Sequence, residues 1–117
     1  MTNQEKIAQN TKSKRKASQY AKMTSEVIYM MTEKYSRVVK IGYAKNLADR
    51  LAQYRTHSAS FELLDVRYGT RQDEKRYKER LKAKGFILHY DGDKTEWYDL
   101  PDTMSKAELR KGFSALD

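Results

Sequence analysis

No cysteine occurs among the 117 residues, which excludes disulfides, thiol nucleophiles and any cysteine-built zinc site. Histidine is nearly as scarce: His57 and His89 are the only two and lie too far apart in sequence to build a zinc site by themselves. The metal chemistry left open is a hard cation on carboxylate and water. No apolar run approaches the roughly 20 residues needed to span a bilayer. The N-terminus also lacks the apolar stretch of a signal peptide, so the expected location is cytoplasmic, with no membrane partner. No internal repeat is present.

What the chain has in excess is positive charge. Lysine and arginine number 24 against 16 acidic residues, a formal charge of +8. That balance favours a polyanionic partner, and nucleic acid is the first choice because phosphate contacts give this kind of salt-sensitive affinity. A membrane surface is the weaker rival. The length allows one domain with a small appendage and a modest core. Residues 1–24 differ from the rest, with Lys12, Lys14, Arg15 and Lys16 among Asn, Gln, Ser and Thr and little to bury. They read as a basic arm, flexible or helical, that is either a solvated tail or a strap along a phosphate backbone. Residues 25–117 form the domain.

Within the domain, Val27-Ile28-Tyr29-Met30-Met31 and Val38-Val39-Lys40-Ile41-Gly42 read as strands, with Thr32 to Ser36 as the turn between them. Asn46 suits a helix N-cap with Asp49 three residues on, and Leu47, Leu51 and Tyr54 follow at helical spacing as one buried stripe. Arg50 falls about 60° from Leu47 on a helical wheel, so it is expected to lie along the sheet surface. Phe61 to Tyr68 fits a third strand with Leu64, Val66 and Tyr68 alternating onto one face. Thr70 and Asp73 open a second helix that runs to about Lys84, with Gly85 as its stop.

On that second helix Tyr77 and Leu81 mark the inward side, and Glu74 lies about 60° from Tyr77. An inward carboxylate needs a cation, either a bound metal or a basic neighbour such as Lys78 or Arg50. Phe86-Ile87-Leu88 and Glu96 to Leu100 look like two further short strands turned at Asp91-Gly92-Asp93, with Trp97 as a core anchor. Ser105 and Glu108 box a short terminal helix through Arg110, stopped by Gly112. The expected class is α+β, a small, mostly antiparallel sheet flanked by helices and preceded by the basic arm.

This order of parts resembles the GIY-YIG endonuclease superfamily, in the phage-associated branch whose second motif is written KIG. The resemblance covers roughly Glu26 to Pro101. Val27-Ile28-Tyr29 stands for GIY, Lys40-Ile41-Gly42 for YIG, Arg50 for the arginine of the following helix and Glu74 for the metal-binding glutamate. Glu96-Trp97-Tyr98 resembles the closing signature. The order and spacing carry the resemblance, since each motif alone is weak.

The resemblance implies a metal-dependent endonuclease that hydrolyses phosphodiester bonds in DNA, associated with phage or mobile elements and similar to homing endonucleases. The host would be a bacterial or phage-infected cell. Glu74 would hold Mg²⁺, with Mn²⁺ as a substitute, and Arg50 would grip the phosphate oxygens. Tyr29 would be the general base. A phenol of pKa about 10 needs a nearby cation for that, and Lys40, drawn opposite Tyr29 across the hairpin, would supply it.

The chain departs from the family's motif where lysine replaces the second tyrosine and valine the first glycine, which leaves Tyr43 as a stand-in phenol. Tyr54 stands at a helix position where relatives often carry histidine and is read as a packed aromatic ahead of an acid or base. His57, in the loop after the first helix, is either simply exposed or within reach of the water or a phosphate, and Lys45 and Arg55 join the arm as candidate DNA contacts. A different reading is an inactive nucleic-acid-binding module on the same fold. RNA stays open as the substrate, and a homodimer would let both strands of a duplex be cut.

Overall fold

The computed structural model describes residues 26–57, 60–89 and 97–117, and the side chains of residues 55–57 are not among those described. The basic arm, Glu96 and the expected turn at Asp91-Gly92-Asp93 lie outside these residues. The first element is a hairpin of β1 (Val27–Glu33) and β2 (Val38–Ala44). Both strands are rich in branched and aromatic residues and are buried almost throughout, as befits central strands covered on two faces.

Thr32 and Glu33 belong to β1, not to the turn expected from the sequence. Thr32 is fully buried, and its hydroxyl donates to the Val38 carbonyl at 2.6 Å. That bond prolongs the ladder and moves the turn to residues 34–37. As a result Tyr29 faces Gly42, while Lys40 faces Met31. Lys40 was expected opposite Tyr29; the later turn shifts the register by two residues. An even shift keeps Lys40 on the same face as Tyr29, diagonal to it.

Helix α1 (Leu47–His57) begins where Asn46 Oδ1 accepts the Asp49 amide at 3.1 Å. Strand β3 (Phe61–Tyr68) pairs antiparallel with the outer side of β1. Its register breaks between Met30 and Met31, which pair with Asp65 and Leu63 and leave Leu64 as an extra residue. The bulge breaks the expected alternation at Leu64, while Val66 and Tyr68 still share one face, opposite Tyr29 and Val27 in the ladder. Val66 packs with the α1 side, Leu64 joins the opposite core and Tyr68 is 67% exposed.

Helix α2 (Arg71–Ala83) opens with a full Thr70–Asp73 capping box and ends before Gly85 at φ +94°, a left-handed conformation that glycine adopts without penalty. Strands β4 (Ile87–Leu88) and β5 (Trp97–Asp99) complete one antiparallel sheet in the order β3-β1-β2-β5-β4. The short α3 (Lys106–Leu109), N-capped by Ser105, and a 3₁₀ turn (Gly112–Ala115) close the chain.

Alternation along β1 and β2 sorts the core into two layers. Val27, Tyr29, Met31 and Ala44 pack with Leu47 and Leu51 of α1. Ile28, Met30, Val39 and Ile41 pack with Tyr77 and Leu81 of α2 and with Leu109, Phe113 and Leu116. The sheet is therefore covered on both faces, α+β as expected, and its surface opens where β2 passes into α1.

Candidate functional site

At the C-terminal end of β2 the chain leaves the sheet, and the first turns of α1 and α2 flank the exit. The result is a cleft of about 290 Å³ lined by Tyr43, Ala44, Lys45, Asn46, Asp49, Arg50, Gln53 and Arg71. Three cations line it against the carboxylate of Asp49. Arg50 is exposed rather than laid along the sheet as expected, because Leu47, Leu51 and Tyr54 fill the contact with β1. Among the described residues the guanidinium groups of Arg50 and Arg71 make no ion pair. Lys45, anticipated as a DNA contact, is exposed in the same cleft.

Tyr43 forms one wall. Its hydroxyl donates to Glu26 Oε2 at 2.6 Å, and the Arg71 guanidinium lies over its ring, 4.6 Å from the centroid. The hydrogen bond to Glu26, followed by burial, pushes the Tyr43 phenol above its usual range. Both effects favour the protonated form, which works against a base role for Tyr43 while Glu26 is ionised. Tyr43 also projects from the face opposite Tyr29, since it pairs with Ile28 in the ladder.

Tyr29 is only 1% exposed, beneath α1. Its hydroxyl lies 3.0 Å from that of Tyr54, and the two rings meet edge to face with centroids 6.2 Å apart. Lys40 Nζ sits 5.0 Å from the centre of the Tyr54 ring. Tyr54 is thus the packed aromatic foreseen from the sequence and also the hydroxyl partner of Tyr29. It follows Arg50 by four residues, so the two share one side of α1. Beyond Tyr54 the aromatic row continues through Phe61 at 5.5 Å to Trp97, stacked on Phe61 at 5.6 Å.

Glu74 lies one turn after Arg71 on α2, and its side chain is 20% exposed. Lys78 Nζ is 3.9 Å away, a long ion pair of the kind anticipated; Arg50 is not its partner. Its charge reaches Tyr43, whose phenol it helps to raise. No group of three metal-ligating side chains occurs among the described residues. The donor set near Tyr43 is Glu74 with Glu26. Sequence reasoning did not single out Glu26, and the available signal was its place immediately before Val27-Ile28-Tyr29.

Of the remaining sequence candidates, His57 is the last residue of α1 rather than a loop residue, and its side chain and that of Arg55 lie outside the description. Lys12, Lys14, Arg15 and Lys16 also fall outside it. His89 Nδ1 bonds Asp99 at 2.8 Å, on the β4–β5 side of the sheet.

An antiparallel sheet between helices, with a cation-lined cleft at one end, defines a small α+β module with a site suited to polyanions. Residues 26–116 match the T5orf172 domain, and the chain belongs to that family, a domain found in phage and mobile-element nucleases. Membership makes it a nuclease-like or DNA-binding module. No curated protein and no solved structure matches the chain. Among the described residues no helix is long and apolar enough to cross a membrane.

Proposed function

We propose that the chain is a metal-dependent endonuclease of the GIY-YIG type, hydrolysing phosphodiester bonds in DNA at the end of β2. The observation that carries this reading is the cleft itself: Arg50 and Arg71 line it with no ion pair among the described residues, and Glu74 lies one turn from Arg71, within electrostatic reach of the Tyr43 wall. A pure binder gains from the arginines but little from a nearby carboxylate, which repels phosphate unless a cation intervenes.

Phosphodiester hydrolysis needs an activated water, stabilisation of the phosphoryl oxygens and help for the leaving oxygen. Arg50 presents paired donors to the phosphoryl oxygens. In this reading Tyr54 acts as its phenolate: Oη takes the proton of the water and becomes the neutral hydroxyl, while the Tyr29 hydroxyl donates to that oxygen from below. The Lys40 ammonium lies 5.0 Å from the centre of the Tyr54 ring and adds positive charge beside the hydroxyl pair.

A hard divalent cation suits Glu74: Mg²⁺ commonly takes only one or two carboxylates and completes its shell with water and substrate phosphate. The carboxylate is half-buried with only a long ion pair to loosen. When bound, such an ion supplies charge neutralisation at the leaving oxygen.

The second reading, an inactive nucleic-acid-binding module, is favoured by the burial of Tyr29, which at 1% exposure touches no water directly. Supercoiled plasmid incubated with Mg²⁺ or Mn²⁺, with and without EDTA, separates the two. Nicking or linearisation that EDTA abolishes supports the nuclease; salt-sensitive binding with no cleavage in either ion supports the module.

A further inference from the structure

We infer that Arg71 is a second phosphate-binding residue of the cleft, held ready by its stack on Tyr43, and that Glu26 positions Tyr43 for this. The inference rests on the reading of the cleft as a DNA-facing site. It adds a residue that the motif resemblance does not include and assigns a purpose to the Glu26–Tyr43 contact.

The geometry gives three reasons. First, a guanidinium offers two kinds of surface: a flat face that stacks on aromatic rings and an edge that carries all its N–H donors. Arg71 spends only the face, at 4.6 Å from the Tyr43 centroid. Its edge donors are left for the two oxygens of a phosphate, the bidentate arrangement that arginine favours.

Second, the other arginines of α2 are committed. Arg76 bonds Asp73 at 3.0 Å and Arg80 bonds Asp117 at 2.9 Å. Arg71 is the α2 arginine that lines the cleft, and it has no such carboxylate among the described residues.

Third, the ring beneath it is fixed. Tyr43 is 8% exposed and anchored in β2, and its hydroxyl is tied to Glu26 at 2.6 Å. Glu26 is itself held by the backbone, since its carbonyl accepts the Gly69 amide at 3.2 Å, two residues before Arg71. A cation stacked on a fixed ring loses less side-chain entropy on binding than a free one. Arg50 from α1 and Arg71 from α2 thus face one cleft from two walls, which suits neighbouring phosphates of one strand.

The test is binding of a short fluorescent DNA duplex, read by anisotropy across a salt series in EDTA so that cleavage plays no part. Each phosphate contact contributes about one unit to the slope of log K against log salt. Arg71→Ala is expected to lower the slope by about one unit, as Arg50→Ala does, while Arg76→Ala leaves it unchanged. Tyr43→Leu, which keeps the burial but removes the ring, is expected to weaken affinity several-fold with the slope retained, because the charge stays but its placement is lost. Far-UV circular dichroism confirms that each variant is folded.

A slope for Arg71→Ala equal to that of wild type, with Arg50→Ala still lowering it, overturns the inference and leaves the nuclease reading standing. Loss of slope in Arg71→Ala in a protein that does not cut plasmid overturns the nuclease reading and leaves the inference standing.

Discussion

Gly42 and Tyr29 face each other across the hairpin with no space for a side chain between them. A Cβ on Gly42 would lie 2.7 Å from Cε1 of the tyrosine ring and closer still to Cζ and Oη. The glycine of the KIG motif is therefore the floor that lets the Tyr29 ring cross β2 and bring its hydroxyl to Tyr54. Gly42 does not have a left-handed φ, so the requirement is space rather than backbone conformation.

Gly42→Ala is expected to displace the ring and destabilise the fold by about 1–3 kcal/mol, the usual range for overpacking a tight core. Urea denaturation checks this through the midpoint. The same substitution should reduce cleavage even where the protein remains folded, because it separates the Tyr29 and Tyr54 hydroxyls.

Tyr54→Phe tests that hydroxyl pair without disturbing the packing of the aromatic row. Thermal unfolding is expected to change by no more than the equivalent of about 1 kcal/mol, the net worth of one hydrogen bond. DNA affinity in EDTA should be unchanged, and plasmid cleavage should fall by about 10²-fold, the scale of a lost general base. Equal cleavage by Tyr54→Phe and wild type would remove Tyr54 from the proton path.

Lys106 fastens the hairpin turn to the C-terminal segment. Its ammonium donates to Thr32 Oγ1 at 2.7 Å, the Glu33 carbonyl at 2.6 Å and the Ser36 carbonyl at 2.7 Å. Lys106→Met keeps the stem and leaves the two carbonyls without this donor. The expected cost is about 2–3 kcal/mol, since hydrogen bonds to charged groups sit at the upper end of the usual range. A shift of the urea midpoint at unchanged m-value is the check.

The Tyr77 hydroxyl, with the Arg67 guanidinium next, holds the Asp117 carboxyl below the usual carboxylate range. Tyr77 donates at 2.7 Å, and Arg67 and Arg80 pair with it at 3.0 and 2.9 Å. A folded value below the unfolded one means that the stabilisation is present above the unfolded pKa, near pH 4, and is lost as the pH falls through the folded value. Asp117→Asn should therefore lower stability at pH 7 and flatten the acid limb of the stability profile. Denaturant midpoints at pH 7 and pH 3 measure both effects. The carboxylate is partly exposed and screened by water, so the change is expected to be modest.

The sequence made the helix starts legible because N-caps are local, whereas α1 runs on through His57, which reads as loop. Asn46, Thr70 and Ser105 each accept an amide three residues on, and such contacts follow from spacing alone. Register was not local. The turn moved because Thr32 finds the Val38 carbonyl and Lys106, a residue 74 positions away, and neither contact is visible in a strand pattern. The bulge at Leu64 defeated an alternation argument that assumes a regular ladder.

At the site, Arg50 and Lys45 could be read from the motif order and charge. The Tyr29–Tyr54 pairing and the Glu26–Tyr43–Arg71 assembly join residues from separate elements, and only the folded sheet brings those together.

The most direct test of metal-dependent cleavage at this cleft is the Glu74→Gln protein assayed beside wild type for plasmid cleavage in Mg²⁺ and for duplex binding in EDTA. Removing the carboxylate charge while keeping the shape is expected to reduce cleavage by about 10²-fold or more. Binding in EDTA should be equal or slightly tighter, because a charge that repels phosphate is gone. Cleavage by Glu74→Gln at the wild-type rate would contradict the account, since the half-buried glutamate would then hold nothing that the reaction requires.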